Sequence, residues 1–306
     1  MSEMSWSGVF PAATTQFSPD MAVDLDATQR SLDALIRAGI HGLVVLGTCG
    51  ENNSLEPGEK RAVLQAAREV VAGRVPIVVG VSELTTARAA DFARDATALG
   101  VNALMVLPAM VYVPTQEELE VHFRAVAAAS DLPIMLYNNP PAYRTHITVD
   151  LLTRLADVPN IVAVKESAAD TRRFTDIYNA CGDRFITLAG LDDVALEGLF
   201  LGARGWVSGL TSAFPQESVA LVAAVARRDL EQALRIYRWF MPLLHLDAEA
   251  DLVQSIKLAE QIMGRGSERV RLPRLPLAGK RRADVTARVE TAAAARPVDV
   301  AKPIAA

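Results

Sequence analysis

The chain has 306 residues, enough for two average domains or for one α/β barrel of about 250 residues. Its hydrophobic content of 51% with 22% charged residues excludes a disordered chain and predicts a large buried core. A net charge of −5 with no basic run leaves no footprint for nucleic acid, and no stretch reaches the roughly 18 apolar residues of a membrane helix.

The opening text MSEMSWSGVFPAATTQF has no basic segment followed by an apolar core, so a cytoplasmic location is expected. Cys49 and Cys181 read as reduced thiols. His41, His122, His146 and His245 stand at no ligand spacing, so neither a metal site nor a cofactor is expected.

Short apolar runs recur along the chain and predict strands over 8–14, 42–47, 76–81, 103–108, 133–138, 161–166, 185–190 and 205–210. Amphipathic segments lie between them and predict helices over about 25–38, 59–71, 86–99, 116–129, 149–156, 171–180, 193–201 and 215–226. In the second of these, Ala62, Val63, Ala66, Ala67 and Val70 follow the spacing of one helical face. Strands alternating with helices about 30 residues apart predict a (β/α)8 TIM barrel over 7–226, an open doubly wound sheet being the alternative. Two more helices, near 229–246 and 250–263, predict a C-terminal extension over 227–280 packed on the barrel. In the first, Leu230, Ala233, Leu234, Tyr237, Phe240, Met241 and Leu244 form a stripe that needs a surface to cover. Residues 281–306, rich in Ala, Arg and Pro, read as a peripheral or mobile tail.

Active sites of such barrels gather where strands end, which makes Thr14, Thr15, Thr48, Cys49, Ser82, Pro108, Tyr137, Asn138, Lys165, Gly190 and Ser208 the candidates. Lys165 is the most informative, because it ends the apolar run Ile161-Val162-Ala163-Val164. Strand alternation sends Lys165 and Glu166 to opposite sides. Apolar surroundings disfavour a charged amine, and a free amine attacks carbonyls to form Schiff bases. The competing reading is a lysine that returns its charge to water along its stem.

Tyr137 is the fifth residue of its run and Lys165 the fifth of the next, so strands about 4.8 Å apart deliver both to one mouth. A phenol there can move protons, although a tyrosine can also cap a barrel through a backbone bond. The turn Gly47-Thr48-Cys49-Gly50-Glu51-Asn52 has glycines that let successive amides face one point, which suits a carboxylate. It lacks the spacing of a nucleotide phosphate loop.

The GTxGE turn, YNxP at Tyr137 and KES at Lys165 together resemble the dihydrodipicolinate synthase and N-acetylneuraminate lyase superfamily of class I aldolases, over about residues 7–265. The pattern KExxxD at Lys165, Glu166 and Asp170 and the text Gly190-Leu191-Asp192-Asp193 add to the likeness. By that resemblance Lys165 is the Schiff-base lysine for pyruvate or another 2-oxo acid, and Tyr137 is the proton relay. Thr48 and Cys49 hold the substrate carboxylate, Val207 lends a carbonyl near the lysine, and Gly190 makes a similar backbone contact. The resemblance also implies a homotetramer.

Three departures stand out, the first at the carboxylate site and the other two in the second-substrate half. Cys49 replaces a hydroxyl residue of the family's pair. Where dihydrodipicolinate synthases read PYYN, with a tyrosine that reaches a neighbouring subunit's site, this chain reads Pro108-Ala109-Met110-Val111-Tyr112. Met110 or Val111 takes the relay position, and Tyr112 is its only substitute there. The arginine that grips the synthase's second substrate is Ala142 here, with Arg144 two residues on as a candidate replacement. The expected activity is aldol cleavage or condensation, dehydration or deamination of a 2-oxo acid or related imino acid. The alternatives are 4-hydroxy-tetrahydrodipicolinate synthesis and a non-catalytic barrel that binds 2-oxo acids.

Overall fold

The computed structural model of the chain describes residues 4–109 and 112–298. Strands β1 (Gly8–Pro11), β2 (Leu43–Val45), β3 (Ile77–Val81), β4 (Ala103–Val106), β5 (Ile134–Asn138), β6 (Ile161–Glu166), β7 (Ile186–Ala189) and β8 (Gly205–Ser208) form one parallel sheet. Each pairs with its neighbours in sequence, and β8 returns to β1. The Ala13 amide donates to Val44 O at 2.8 Å and Ala12 bridges Val44, which closes the ring. The molecule is the (β/α)8 TIM barrel that the alternation predicts.

Helices α1 (Leu25–Arg37), α2 (Pro57–Val71), α3 (Thr86–Ala98) and α4 (Gln116–Ala128) follow the first four strands. After β5 come a single turn, α5 (Pro140–Tyr143), and then α6 (Val149–Leu155). The ring is completed by α7 (Arg172–Cys181), α8 (Ala195–Phe200) and α9 (Pro215–Ala226). Local chemistry sets their starts: Thr115 and Glu118 exchange side-chain bonds with each other's amides at the head of α4. The short α5 begins on Pro140 with Asn139 accepting from the Ala142 amide.

Pleating sorts the strand residues. Tyr137, Lys165, Leu188 and Gly205 stand in register across β5 to β8 and share the interior side. Leu136 and Val164, one residue earlier, pack outward in the core between sheet and helices.

Beyond the barrel lie α10 (Leu230–Leu244) and α11 (Leu252–Ile262). On α10 the covered face is Ala233, Ile236, Tyr237, Phe240, Leu243 and Leu244, and Phe240 meets Trp206 of β8 edge to face at 6.2 Å. Leu230 of the anticipated stripe is exposed. Much of the stretch read as a peripheral or mobile tail lies in a further helix, α12 (Gly279–Ala294). Val285, Val289 and Ala292, spaced on one face, are buried against α10 and α11, and Trp239 Nε1 donates to Ala292 O at 3.2 Å. Sparse apolar residues in Ala-rich text hid this helix, since three contacts on one face suffice where alanine lowers the cost of helix formation. Residues 299–306 of that stretch lie outside the described residues.

No helix among the described residues is long and apolar enough to cross a membrane. No group of three His, Cys, Asp or Glu placed to hold a metal ion occurs among them.

Candidate active site

Lys165 leaves β6 into the C-terminal mouth of the barrel and is only 4% exposed. Its ammonium sits 4.0 Å from the centroid of the Tyr137 ring. No described residue hydrogen-bonds or ion-pairs with it. Ala12, Gly47, Thr48, Cys49, Met105, Tyr137, Asn139, Gly209, Asp247 and Leu252 join it around an inner cavity of about 20 Å³.

Two glycines make room for this arrangement. A Cβ on Gly190 would lie 2.6 Å from Lys165 Cγ and 2.8 Å from Cε, so the lysine stem runs across the bare backbone at that position. A Cβ on Gly209 would meet Asp247 Oδ1 at 2.6 Å and Cys49 Sγ at 3.1 Å. Neither position accepts a side chain without moving a group that lines the cavity.

Glu166 points the other way, as alternation requires. It accepts from Asn138 Nδ2 at 2.7 Å, from the Ala168 amide at 2.8 Å and from Arg173 Nε at 2.8 Å. That buried network holds β5, β6 and α7 together behind the cavity and takes Asn138 out of the site.

The turn after β2 bends through left-handed backbone at Leu46 (φ 56°) and Glu51 (φ 52°). Its carbonyls are engaged, Thr48 O by the Glu51 amide and Gly47 O by the Asn52 amide. The Thr48 and Cys49 amides have no partner among the described residues, as a carboxylate cradle requires. Glu51 is anchored from behind: Lys257 Nζ donates to Glu51 Oε1 and to Thr15 O, both at 2.8 Å, and the Arg271 amide donates to Glu51 Oε2 at 2.9 Å. Thr14 and Thr15 serve the same framework, bonding Glu260 and Gly50 O.

Tyr137 is buried, and its hydroxyl accepts from Asn139 Nδ2 at 2.8 Å. Burial pushes its phenol well above the ordinary tyrosine range, and burial does the same to the Cys49 thiol. Both groups keep their protons at neutral pH. Asp247 follows α10 and carries no recognisable motif. Burial raises its carboxyl to about 6, with the Lys165 charge drawing it back down. Asp192 is fully buried and raised, first by burial and then by the charge of Asp247. Its oxygens are taken by Trp206 Nε1, Ser208 Oγ and the Leu210 amide.

The inner cavity adjoins an outer chamber of about 320 Å³, and Thr48, Asn139, Asp247 and Leu252 line both. Pro141, Ala142, Tyr143 and Leu191 wall one side of the chamber, and Ala248, Glu249, Ala250, Val253 and Arg274 wall another. The structure therefore brings Lys165, Tyr137, Thr48 and Cys49 together, with Gly190 beneath the lysine. Val207 sits buried in β8, in register with Phe10, and does not line either space. Arg144 is exposed in left-handed backbone (φ 57°), where it ends α5, and it lines neither space. Tyr112 is 60% exposed and its hydroxyl donates to Glu118 at 2.8 Å, while Met110 and Val111 lie outside the described residues. Tyr143, Asp247 and Arg274 belong to the site and were not among the sequence candidates. Tyr143 and Arg274 are single side chains on connecting segments, and no spacing marks them.

The model of the dihydrodipicolinate synthetase family matches residues 5–292. A 4-hydroxy-tetrahydrodipicolinate synthase of Halalkalibacterium halodurans is 32% identical over 91% of this chain and 96% of its own length. One from Sorangium cellulosum is 34% identical over 90% and 92%. Among solved structures, a dihydrodipicolinate synthase of Bacillus anthracis aligns with a TM-score of 0.90 at 30% identity, covering 94% of this chain and 99% of that one. The enzyme of Acinetobacter baumannii, solved in complex with pyruvate, aligns with a TM-score of 0.89 at 27% identity, covering 94% and 99%.

Proposed function

The chain belongs to the dihydrodipicolinate synthetase family, a family of Schiff-base-forming lyases, and we propose that its Lys165 condenses with pyruvate or another 2-oxo acid. The observation that carries this reading is an amine held at a cavity, over a tyrosine ring, with no carboxylate within ion-pair distance among the described residues. The substrate carboxylate lies on the Thr48 and Cys49 amides, which presents its carbonyl carbon to the amine. The lysine nitrogen attacks, the carbonyl oxygen takes a proton, and the resulting carbinolamine loses water to leave an iminium. Loss of a proton from the neighbouring carbon gives an enamine. A bond at or beyond that carbon is then made or broken. Tyr137 moves protons within the cavity, and Asp247, ionised at neutral pH, takes the proton that Lys165 must lose before it attacks.

Ala142 and the outward Arg144 leave the β5 side of the outer chamber without a cation, which supports cleavage, dehydration or deamination of a hydroxylated 2-oxo or imino acid. The names of the curated relatives support a second reading, condensation to 4-hydroxy-tetrahydrodipicolinate. Borohydride reduction in the presence of pyruvate followed by mass analysis tests the shared step; no adduct at Lys165 sinks it. A panel of 2-keto-3-deoxy sugar acids, hydroxypyrroline carboxylate and aspartate semialdehyde then separates the reactions. An adduct without turnover of any member supports a binding barrel. Family resemblance supports a homotetramer in the cytoplasm, and sedimentation at several concentrations tests the number.

A further inference from the structure

Among the described residues that line the outer chamber, Arg274 is the one cation. It shares a wall with Ala248, Glu249, Ala250 and Val253, away from the α5 turn that holds Ala142. Its side chain is 25% exposed and little engaged: Nη1 makes one long bond, to Ser54 Oγ at 3.4 Å, and Nε and Nη2 have no partner among the described residues. Glu51 stands 4.0 Å from Nη1, but its oxygens already accept from Lys257 Nζ and from the Arg271 amide. A guanidinium presents five N–H groups in a planar fork, so most of this one is unused. The two carboxylates of the chamber do not claim it. Glu249 is paired with Arg281 and Arg288 of α12, and Asp247 lines the inner cavity as well as the chamber.

We propose that Arg274 binds a carboxylate at the far end of the substrate, so that the outer chamber selects acid-ended chains. The inference rests on the imine at Lys165 proposed above, which fixes the near end. With its first carboxylate on the Thr48 and Cys49 amides and its second carbon on Lys165, a longer 2-oxo acid extends into the outer chamber. That chamber, at about 320 Å³, has the volume of about ten waters. The free Nε and Nη2 edge of Arg274 meets a terminal carboxylate there in two parallel charge-assisted bonds. A methyl or hydroxymethyl end cannot form that pair. Arg274 is a specificity residue, since it touches a remote part of the substrate and no reacting atom. It supplies from another wall the cation that the α5 turn lacks at Ala142, and it serves cleavage of an acid-ended chain as well as condensation with an acid-ended partner.

Straight-chain 2-oxo diacids of five to seven carbons, each compared with the methyl-ended 2-oxo acid of equal length, separate the end group from chain length. Borohydride trapping at Lys165, read by mass, gives the half-saturating concentration of each acid without any need for turnover. At the best length the diacid is expected to half-saturate the wild-type protein at a roughly 30-fold lower concentration than its methyl-ended counterpart. Arg274→Gln is expected to erase that difference and to leave trapping of pyruvate, which has no far end, unchanged. Arg274→Lys keeps the charge without the fork and should retain only part of the preference. A wild-type protein with no diacid preference at any length, or a preference that survives Arg274→Gln, overturns the assignment and leaves the imine standing. Equal weakening of pyruvate and diacid in Arg274→Gln overturns it too, since Arg274 would then support the whole site. A wild-type protein that traps no 2-oxo acid, pyruvate included, overturns the imine itself. Should Arg274→Gln unfold, Arg274→Met keeps the apolar stem on its wall, and the same comparison decides.

Discussion

Of the three lysines buried among the described residues, Lys60, Lys165 and Lys257, the last two are used in opposite ways. Lys165 and Lys257 are 4% and 0% exposed, and each ammonium rests on an aromatic face, 4.0 Å from Tyr137 and 4.4 Å from Phe17. Lys257 is matched by Glu51 at 2.8 Å in an ion pair whose side chains are both fully buried. Lys165 has no such partner and faces a cavity. Burial alone therefore does not mark a reactive amine; burial without a fixed counter-charge, beside an open space, does. The two are also linked, because Glu51 follows the Gly47–Cys49 segment that lines the cavity with Lys165.

The comparison breaks most sharply at Lys165 itself. Lys165→Ala should abolish the borohydride-trapped pyruvate adduct completely while the protein stays folded, and retention of the adduct mass would assign the imine to another amine. Lys257→Met should do the reverse. Removing one member of a buried pair strands the other, so the urea midpoint should fall by the equivalent of about 3–5 kcal/mol, while the folded fraction still forms its adduct. Pairing it with Glu51→Gln should restore part of the loss; no restoration would mean that the pair is not what Lys257 contributes.

A smaller effect tests the frame around Lys257. Burial holds Glu260 at about 7 against an ordinary 4.5, with the Thr14 bond and Lys257 lowering it. Between those values the native state keeps a proton that the unfolded chain has lost. Stability therefore falls as pH rises from about 4.5 to 7, by on the order of 3 kcal/mol, and the loss is complete above that window. Asp247, raised to about 6, adds a slope of the same sign. Glu260→Gln should flatten the melting temperature between pH 5 and 8, leaving the Asp247 share; an unchanged slope would place the titration elsewhere. The smallest effect is expected at Arg144, which is exposed and lines neither space. Arg144→Ala should change turnover of the panel substrate by less than about twofold, and a large rise in KM would show that the β5 loop swings inward on binding.

Much of the catalytic half was legible in the chain. Strand alternation and equal run lengths place Tyr137 beside Lys165, and the glycine turn puts the Thr48 and Cys49 amides opposite, because each depends on neighbours a few residues apart. The second half was not legible. Ala142, Tyr143 and Arg144 are consecutive, and only the single turn of α5, closed by left-handed backbone at Arg144, decides that the phenol turns to Thr48 and the guanidinium to solvent. Asp247 comes to the cavity, and Lys257 to the Glu51 carboxylate behind it, from a C-terminal segment more than a hundred residues beyond Tyr137, where no periodicity records what they will face.

By itself, then, the amino-acid sequence determined the barrel, its register and the amine at the end of the sixth strand, since apolar periodicity and strand pleat are local properties that propagate through backbone geometry. Only the tertiary structure decided which of the two lysines is paired with a carboxylate and which is left beside a cavity. Those outcomes depend on the distance between groups far apart in the chain, and charge, hydrogen bonding and desolvation all turn on that distance.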